Sequence, residues 1–314
     1  MKTAIPFSGN VNDEERTEWL DTINQHSRLA TIKPLPALSE TERQQAKLVV
    51  VADPDPNDLR LLPHLEWIQS LWAGVEKILS ADIDPRISVV RLTDPMMAES
   101  MAQAVLSACL YLHLNMPHYR QQQNEKQWSP IIHKTTDNCN VSIFGLGKLG
   151  THAALKLKQN HFTVRGWSRS AKSIDLFETF NATSGLQQLV EKTDIAVLLL
   201  PLTSDTEGLF NHQLLAQLPA GASIINFARG PIIVEQDLLK HLETGHIDHA
   251  LLDVFNKEPL PADHPLWSHP RVTVLPHISG PTTVATAAKI AAQNIDRYLD
   301  QGRIPDAVDR TRGY

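Results

Sequence analysis

The chain has 314 residues, 42% hydrophobic and 20% charged, with a formal net charge of −6. Such a composition suits a soluble globular protein large enough for two cores, and the acidic balance argues against broad attraction to nucleic acid or anionic membranes. Cys109 and Cys139 are the only cysteines, too few for a disulfide framework and without metal-ligand spacing, so no metal is expected.

The first residues, MKTAIPFSGNVNDEER, turn polar before an apolar signal segment can form. No apolar run approaches the ~20 residues of a membrane span. The expectation is a cytoplasmic protein acting on a small molecule. Along the chain, LVVVA (48–52), SVVRL (88–92), VSIFG (141–145), TVRGW (163–167), IAVLLLP (195–201), ASIINFA (222–228), HALLDV (249–254) and VTVLP (272–276) read as strands. The later runs are almost wholly apolar, as strands covered on both faces must be. Amphipathic stretches such as KLGTHAALKLKQ (148–159) lie between them. This alternation predicts an α/β protein with parallel sheets and crossover helices.

From Pro95 to about Gln123 there is no glycine, and Met97, Met101, Val105, Ala108 and Leu112 recur at helical spacing. The spacing predicts one helix of ~25 residues, roughly 35–40 Å long. Being apolar on several sides, it is expected between domains or subunits, with an ordinary core helix as the alternative.

In VSIFGLGKLG, the glycines Gly145, Gly147 and Gly150 follow a strand and open a helix. They serve a tight turn, close approach of backbone to a pyrophosphate, and close helix–strand packing. The free amides of the helix start then hold the anion. The next strand ends in GWSRSAKS, with Ser168 where an NAD-binding fold carries an acid, then Arg169, Ser170 and Lys172. No carboxylate there repels a 2′-phosphate and two cations can bind it, which predicts NADPH over NADH.

Three later segments should converge at the carboxyl ends of the strands, where open α/β sheets bind ligands. They are NFARGP with Arg229, LLDVFNKEPLP with Glu258 and VLPHISGPTT with His277. A guanidinium at the end of a buried strand needs an anion. Arg229 suits the carboxylate and carbonyl of a small 2-oxo acid, His277 can pass a proton to the carbonyl oxygen, and Glu258 would orient the imidazole in its proton-carrying form. Each has a plainer reading: Arg229 could pair with Glu235, Glu258 could be a loop acid, and most of the 14 histidines, His264 and His269 among them, must be surface or packing residues. Retention of all three argues against a sensor or corepressor that uses only the cofactor turn.

GLGKLG, PLTSDTEGLFN (201–211), NFARGPIIVEQDLL, LLDVFNKEPLP and LPHISG together resemble the motifs of the D-isomer-specific 2-hydroxyacid dehydrogenases. GWSRS, DVFNKEPLPADHPLWSHPRVTVLPH and the terminal DRTRGY are similar to its glyoxylate/hydroxypyruvate reductase branch. The resemblance is dense from about residue 139 to 281 and thinner over the first 95. It implies two Rossmann-like or flavodoxin-like domains with parallel sheets, the cofactor domain (96–281) inserted into a discontinuous substrate domain (1–95 and 282–314).

The same resemblance implies substrate binding by Arg229, acid/base catalysis by His277 with Glu258 as its partner, and a homodimer paired through the cofactor domain. Cofactor contacts would come from Gly145, Leu146, Gly147, Lys148, Leu149, Gly150, Ser168, Arg169, Ser170 and Lys172, then Pro201, Thr206, Ala228, Asp253, His277, Ser279 and Gly280. LWAGVEKIL (71–79) resembles the family's substrate loop, so the amides of Gly74 and Val75 would hold the substrate carboxylate, a Gly turn capping a helix being the alternative. Trp128 resembles a tryptophan that related reductases lend to the neighbouring subunit's pocket. One departure is Ala52-Asp53-Pro54, where an aromatic is expected; a small residue and an acid there would widen the pocket or disfavour second carboxylates. Glyoxylate and hydroxypyruvate are the expected substrates. The rival, a bulkier or phosphorylated D-hydroxy acid, needs added cations near the first loops, for which Arg60 and Arg91 are the candidates.

Overall fold

A computed structural model describes residues 2–81 and 83–310. Thr311–Tyr314, which close the DRTRGY resemblance, lie outside the described residues. The chain divides into two compact units, one formed by 1–97 with 282–314 and the other by 98–281.

The first unit holds five strands: β1 (Thr3–Gly9), β2 (Ala30–Pro34), β3 (Leu48–Ala52), β4 (Trp67–Ser70) and β5 (Ser88–Val90). They pair in the order β2-β1-β3-β4-β5, every pairing parallel, which is the flavodoxin-like arrangement. Both faces are covered, which is why β3 is apolar throughout. Leu48, Val50 and Ala52 join one core with Trp19 and Ile295, while Val49 and Val51 face the other with Leu59 and Ile78.

The second unit holds β6 (Asn140–Phe144), β7 (Thr163–Ser168), β8 (Glu178–Asn181), β9 (Ile195–Leu198), β10 (Ala222–Asn226), β11 (Ile247–Leu252) and β12 (Val272–Val274). Their order is β12-β11-β10-β9-β6-β7-β8, again all parallel. Read from β8 this is the Rossmann order with one strand added, and the order reverses between β6 and β9. The glycine turn follows β6, so it opens at that reversal.

The long helix is a correction. Two helices, Pro95–His113 and Met116–Glu125, replace the single predicted one. Asn115 adopts the left-handed conformation at φ 56° and Pro117 sits in the first turn of the second helix. Asn is among the few residues that enter that region at low cost, and proline at a helix start sacrifices no hydrogen bond. Met101, Ala102, Val105, Ala108, Cys109 and Leu112 are buried with Val141, Ile143 and Phe162 in the core of the second unit, and Met97 is buried in that of the first.

Candidate functional site

Gly145 leaves β6 at φ 110°, a conformation only glycine holds readily. Its amide donates to the Trp167 carbonyl at 2.9 Å, tying the turn to β7. A side chain at Gly150 would overlap the Gly145 carbonyl, so the helix Lys148–Gln159 can pack against the turn only with glycine there. A Cβ on Gly147 would meet nothing within 4 Å. The turn is therefore closed behind and open in front, beside the amides of a 12-residue helix. That is the shape a pyrophosphate needs. The Leu146 side chain is buried beneath Gly166, which leaves its backbone as the part that can face a cofactor.

The turn after β7 carries Ser168, Arg169, Ser170 and Lys172. The Ser168 hydroxyl donates to the Ser170 carbonyl at 2.8 Å, and the Lys172 ammonium lies on the Leu146 carbonyl. Arg169 forms an ion pair with Asp205 at 3.3 Å. Lys172 thus braces the glycine turn, while Arg169 reaches to the turn after β9. Thr206 is buried within its own turn, accepting from the Thr203 amide at 2.8 Å and donating to the Pro201 carbonyl at 2.6 Å. Its hydroxyl builds that turn.

Beyond β10, the side chain of Asn226 shapes the turn that presents Arg229. Its oxygen accepts from the Ala228 amide at 3.1 Å and its nitrogen donates to the Arg229 carbonyl at 2.9 Å. Arg229 Nη1 donates to the Ala228 carbonyl at 2.7 Å, which orients the guanidinium. Glu235 forms an ion pair with His264 at 3.2 Å. A Cβ on Gly230 would overlap the backbone of Phe255 and Asn256, so the arginine turn rests directly on the loop after β11. In that loop the Phe255 amide donates to Glu258 Oε1 at 2.9 Å, and Glu258 Oε2 meets His277 Nδ1 at 2.7 Å.

The three predicted segments therefore converge. A carboxylate on Nδ1 makes that nitrogen the N–H donor and leaves Nε2 as the atom through which the ring can exchange a proton. His277 itself is left-handed at φ 54°. Asp253 pins this geometry: its carboxylate accepts from the amides of Ile278 at 2.8 Å and Ser279 at 2.9 Å, and its own amide donates to the Asn226 carbonyl at 3.1 Å. Asp253 is 1% exposed. Asn226 is the residue that sequence reasoning missed, although a polar side chain ending the apolar run ASIIN was the signal for it. The Ser279 hydroxyl is buried with no hydrogen-bond partner. An orphaned hydroxyl two residues after His277, together with the open glycine turn, fits a nicotinamide dinucleotide.

The remaining expected residues are more scattered. Gly74 and Val75 stand before the short helix Glu76–Ser80 in the first unit, with the Val75 side chain in its core. Ala52 is fully buried at the end of β3. Asp53 pairs with Lys77 at 2.5 Å, so the loop does not present a bare acid; both line a cavity of about 340 Å³ with Asn10, Pro54 and Ile78. Trp128 is 96% exposed. No helix among the described residues is long and apolar enough to cross a membrane.

Comparison with known proteins agrees with this geometry. The family model described as D-isomer specific 2-hydroxyacid dehydrogenase, NAD binding domain, matches residues 106–279. A D-isomer-specific 2-hydroxyacid dehydrogenase from Xanthobacter autotrophicus, solved with NADPH and MES, is 34% identical with a TM-score of 0.93, covering 100% of both chains. An NADPH-dependent glyoxylate/hydroxypyruvate reductase from Sinorhizobium meliloti, solved with NADP and sulfate, is 29% identical with a TM-score of 0.89, again over 100% of both chains. A probable 2-hydroxyacid dehydrogenase from Rhizobium etli, solved with NADP, HEPES and tartaric acid, is 28% identical at a TM-score of 0.89, with the same coverage. With more than half the chain matched by the family model and a relative similar over its whole length, this chain belongs to the D-isomer-specific 2-hydroxyacid dehydrogenase family.

Proposed function

We propose that this enzyme reduces small 2-oxo acids with NADPH, converting glyoxylate to glycolate and hydroxypyruvate to D-glycerate. The observation that carries the reading is the Glu258–His277 pair, held on the same loop base as the Arg229 turn. Bound NADPH supplies a hydride to C2 of the oxo acid. Arg229 engages the carboxylate and carbonyl oxygens of the substrate and polarises the bond that is to be reduced. His277 delivers a proton from Nε2 to the carbonyl oxygen as it becomes an alcohol. Glu258 holds Nδ1 and so keeps the ring oriented with Nε2 available for that transfer. The amides of Gly74 and Val75 take part in holding the substrate carboxylate, as the resemblance implies. The cofactor domain is the unit 98–281 and the substrate domain is the rest.

A spectrophotometric panel tests the substrate reading. NADPH oxidation is followed with glyoxylate, hydroxypyruvate, pyruvate and 2-oxoglutarate, each repeated with NADH. Highest kcat/KM for glyoxylate or hydroxypyruvate is expected; a clear preference for 2-oxoglutarate would sink it. For the cofactor, Arg169→Ala is expected to weaken NADPH binding by ~1.5–3 kcal/mol, the worth of a hydrogen bond to a charged group, with NADH little changed. Equal losses for both cofactors reject the assignment.

The working form is a homodimer in the cytoplasm. Trp128 at 96% and Ile132 at 98% exposure support the dimer, because a short segment with two such exposed large apolar side chains suits a protein–protein contact. The arm that carries them is fastened by the Ile131 amide to the Tyr119 hydroxyl at 2.8 Å. Sedimentation of the wild type as a monomer at micromolar concentration would count against it.

A further inference from the structure

The strand order places the turn after β7 on one side of the glycine turn and the turn after β9 on the other, with β6 between them. Arg169 belongs to the first and Asp205 to the second, so their ion pair at 3.3 Å reaches across the carboxyl end of β6. Asp205 is not a stray surface acid on a loose loop. Its turn is closed by the Thr206 hydroxyl between Pro201 and Thr203, and by the amides of Thr206 and Glu207 donating to the Thr203 carbonyl at 3.0 and 2.9 Å. The neighbouring polar groups of the β7 turn are engaged with backbone carbonyls, Ser168 with Ser170 and Lys172 with Leu146. Arg169 differs in holding a side-chain carboxylate, an anion that another anion can displace.

We propose that Asp205 is a specificity-determining residue that limits the preference for NADPH over NADH by competing with the 2′-phosphate for Arg169. The inference rests on the NADP(H) reading above. A cofactor with the 2′-phosphate must take Arg169 from Asp205 or share it, bringing a multiply charged group close to a fixed carboxylate. NADH has no group to place there and leaves the pair intact. The penalty therefore falls on NADPH alone. With side chains 43% and 66% exposed, the pair is screened by solvent, so the effect is modest and depends on salt.

The test is calorimetric binding of NADP and NAD to wild type, Asp205→Asn, Arg169→Ala and the double variant, at low and high ionic strength. Asp205→Asn is expected to tighten NADP binding about three- to tenfold at low salt while NAD changes less than twofold, and the gain should shrink at high salt. The gain should vanish when Arg169 is already alanine. An unchanged or weakened NADP affinity in Asp205→Asn overturns the proposal, as does a full gain in the absence of Arg169. Failure of the cofactor reading has a separate signature, wild-type affinity for NADP no greater than for NAD.

Discussion

Replacing His277 by alanine is expected to lower kcat for 2-oxo acid reduction by roughly 10²–10⁴, the usual worth of a positioned acid or base. Binding of NADPH should survive, because the turn is held by Asp253 through the Ile278 and Ser279 amides and not by the imidazole. The side chain is about half exposed at 51%, so little core packing is lost. The left-handed backbone at φ 54° is the one structural hazard. Asn tolerates that region better than Ala, so His277→Asn serves as the companion variant: equal loss in both, with unchanged Tm for the asparagine form, assigns the defect to chemistry. Glu258→Gln should lose less, since it leaves the imidazole in place and removes only the charge facing Nδ1. Turnover at the wild-type rate in either His277 variant would defeat the proton-donor assignment.

The second large effect concerns Arg229→Lys. The guanidinium is planar and is oriented through Nη1 by the Ala228 carbonyl at 2.7 Å, whereas an ammonium offers a point charge on a flexible stem. Losing one charge-assisted hydrogen bond to the substrate costs about 1.5–3 kcal/mol, so kcat/KM should fall roughly 10- to 150-fold. Because the bond strengthens as negative charge gathers on the carbonyl oxygen, part of the loss should appear in kcat and not only in KM. NADPH affinity measured without substrate is the control. Retention of wild-type kcat/KM by the lysine form would remove Arg229 from substrate recognition.

What could be read from the chain depended on whether tertiary contacts concealed the pattern. The strands covered on both faces were legible because covering makes them uniformly apolar, as in β3 and β9. Four others were not predicted: β1, β2, β4 and β8. In β1, Pro6 argues against a strand, yet pairing with β3 begins only at Phe7, so the missing amide is not needed on that side. In β4, Gln69 and Ser70 look like loop residues, but both are fully buried. Gln69 is satisfied there by donating to the Ser70 carbonyl and accepting from Asn294, both at 2.9 Å. Strand β8, ETFN, lies at the sheet edge, where no apolar face is required. The helix break at Asn115 was hidden because its cause is a backbone conformation and not a change of polarity.

The site divides along the same line. Arg229, Glu258 and His277 were legible because an arginine, an acid and a histidine each stand just past an apolar strand in a Rossmann-type alternation. The glycine turn was legible from spacing alone. The Arg169–Asp205 pair was not, since 36 residues separate the two and only the strand order brings them together. The contact of Lys172 with the Leu146 carbonyl was hidden for the same reason, since 26 residues separate the two.

Asn226 at the end of β10 and Asp253 just past β11 are each 1% exposed and hold the arginine and histidine turns from below. Arg229 and His277 thus share one foundation built from buried strand ends. Loops elsewhere can diversify to suit new oxo acids without the alignment of charge and proton having to be reinvented, which makes substrate range and chemical competence separately adjustable in this scaffold.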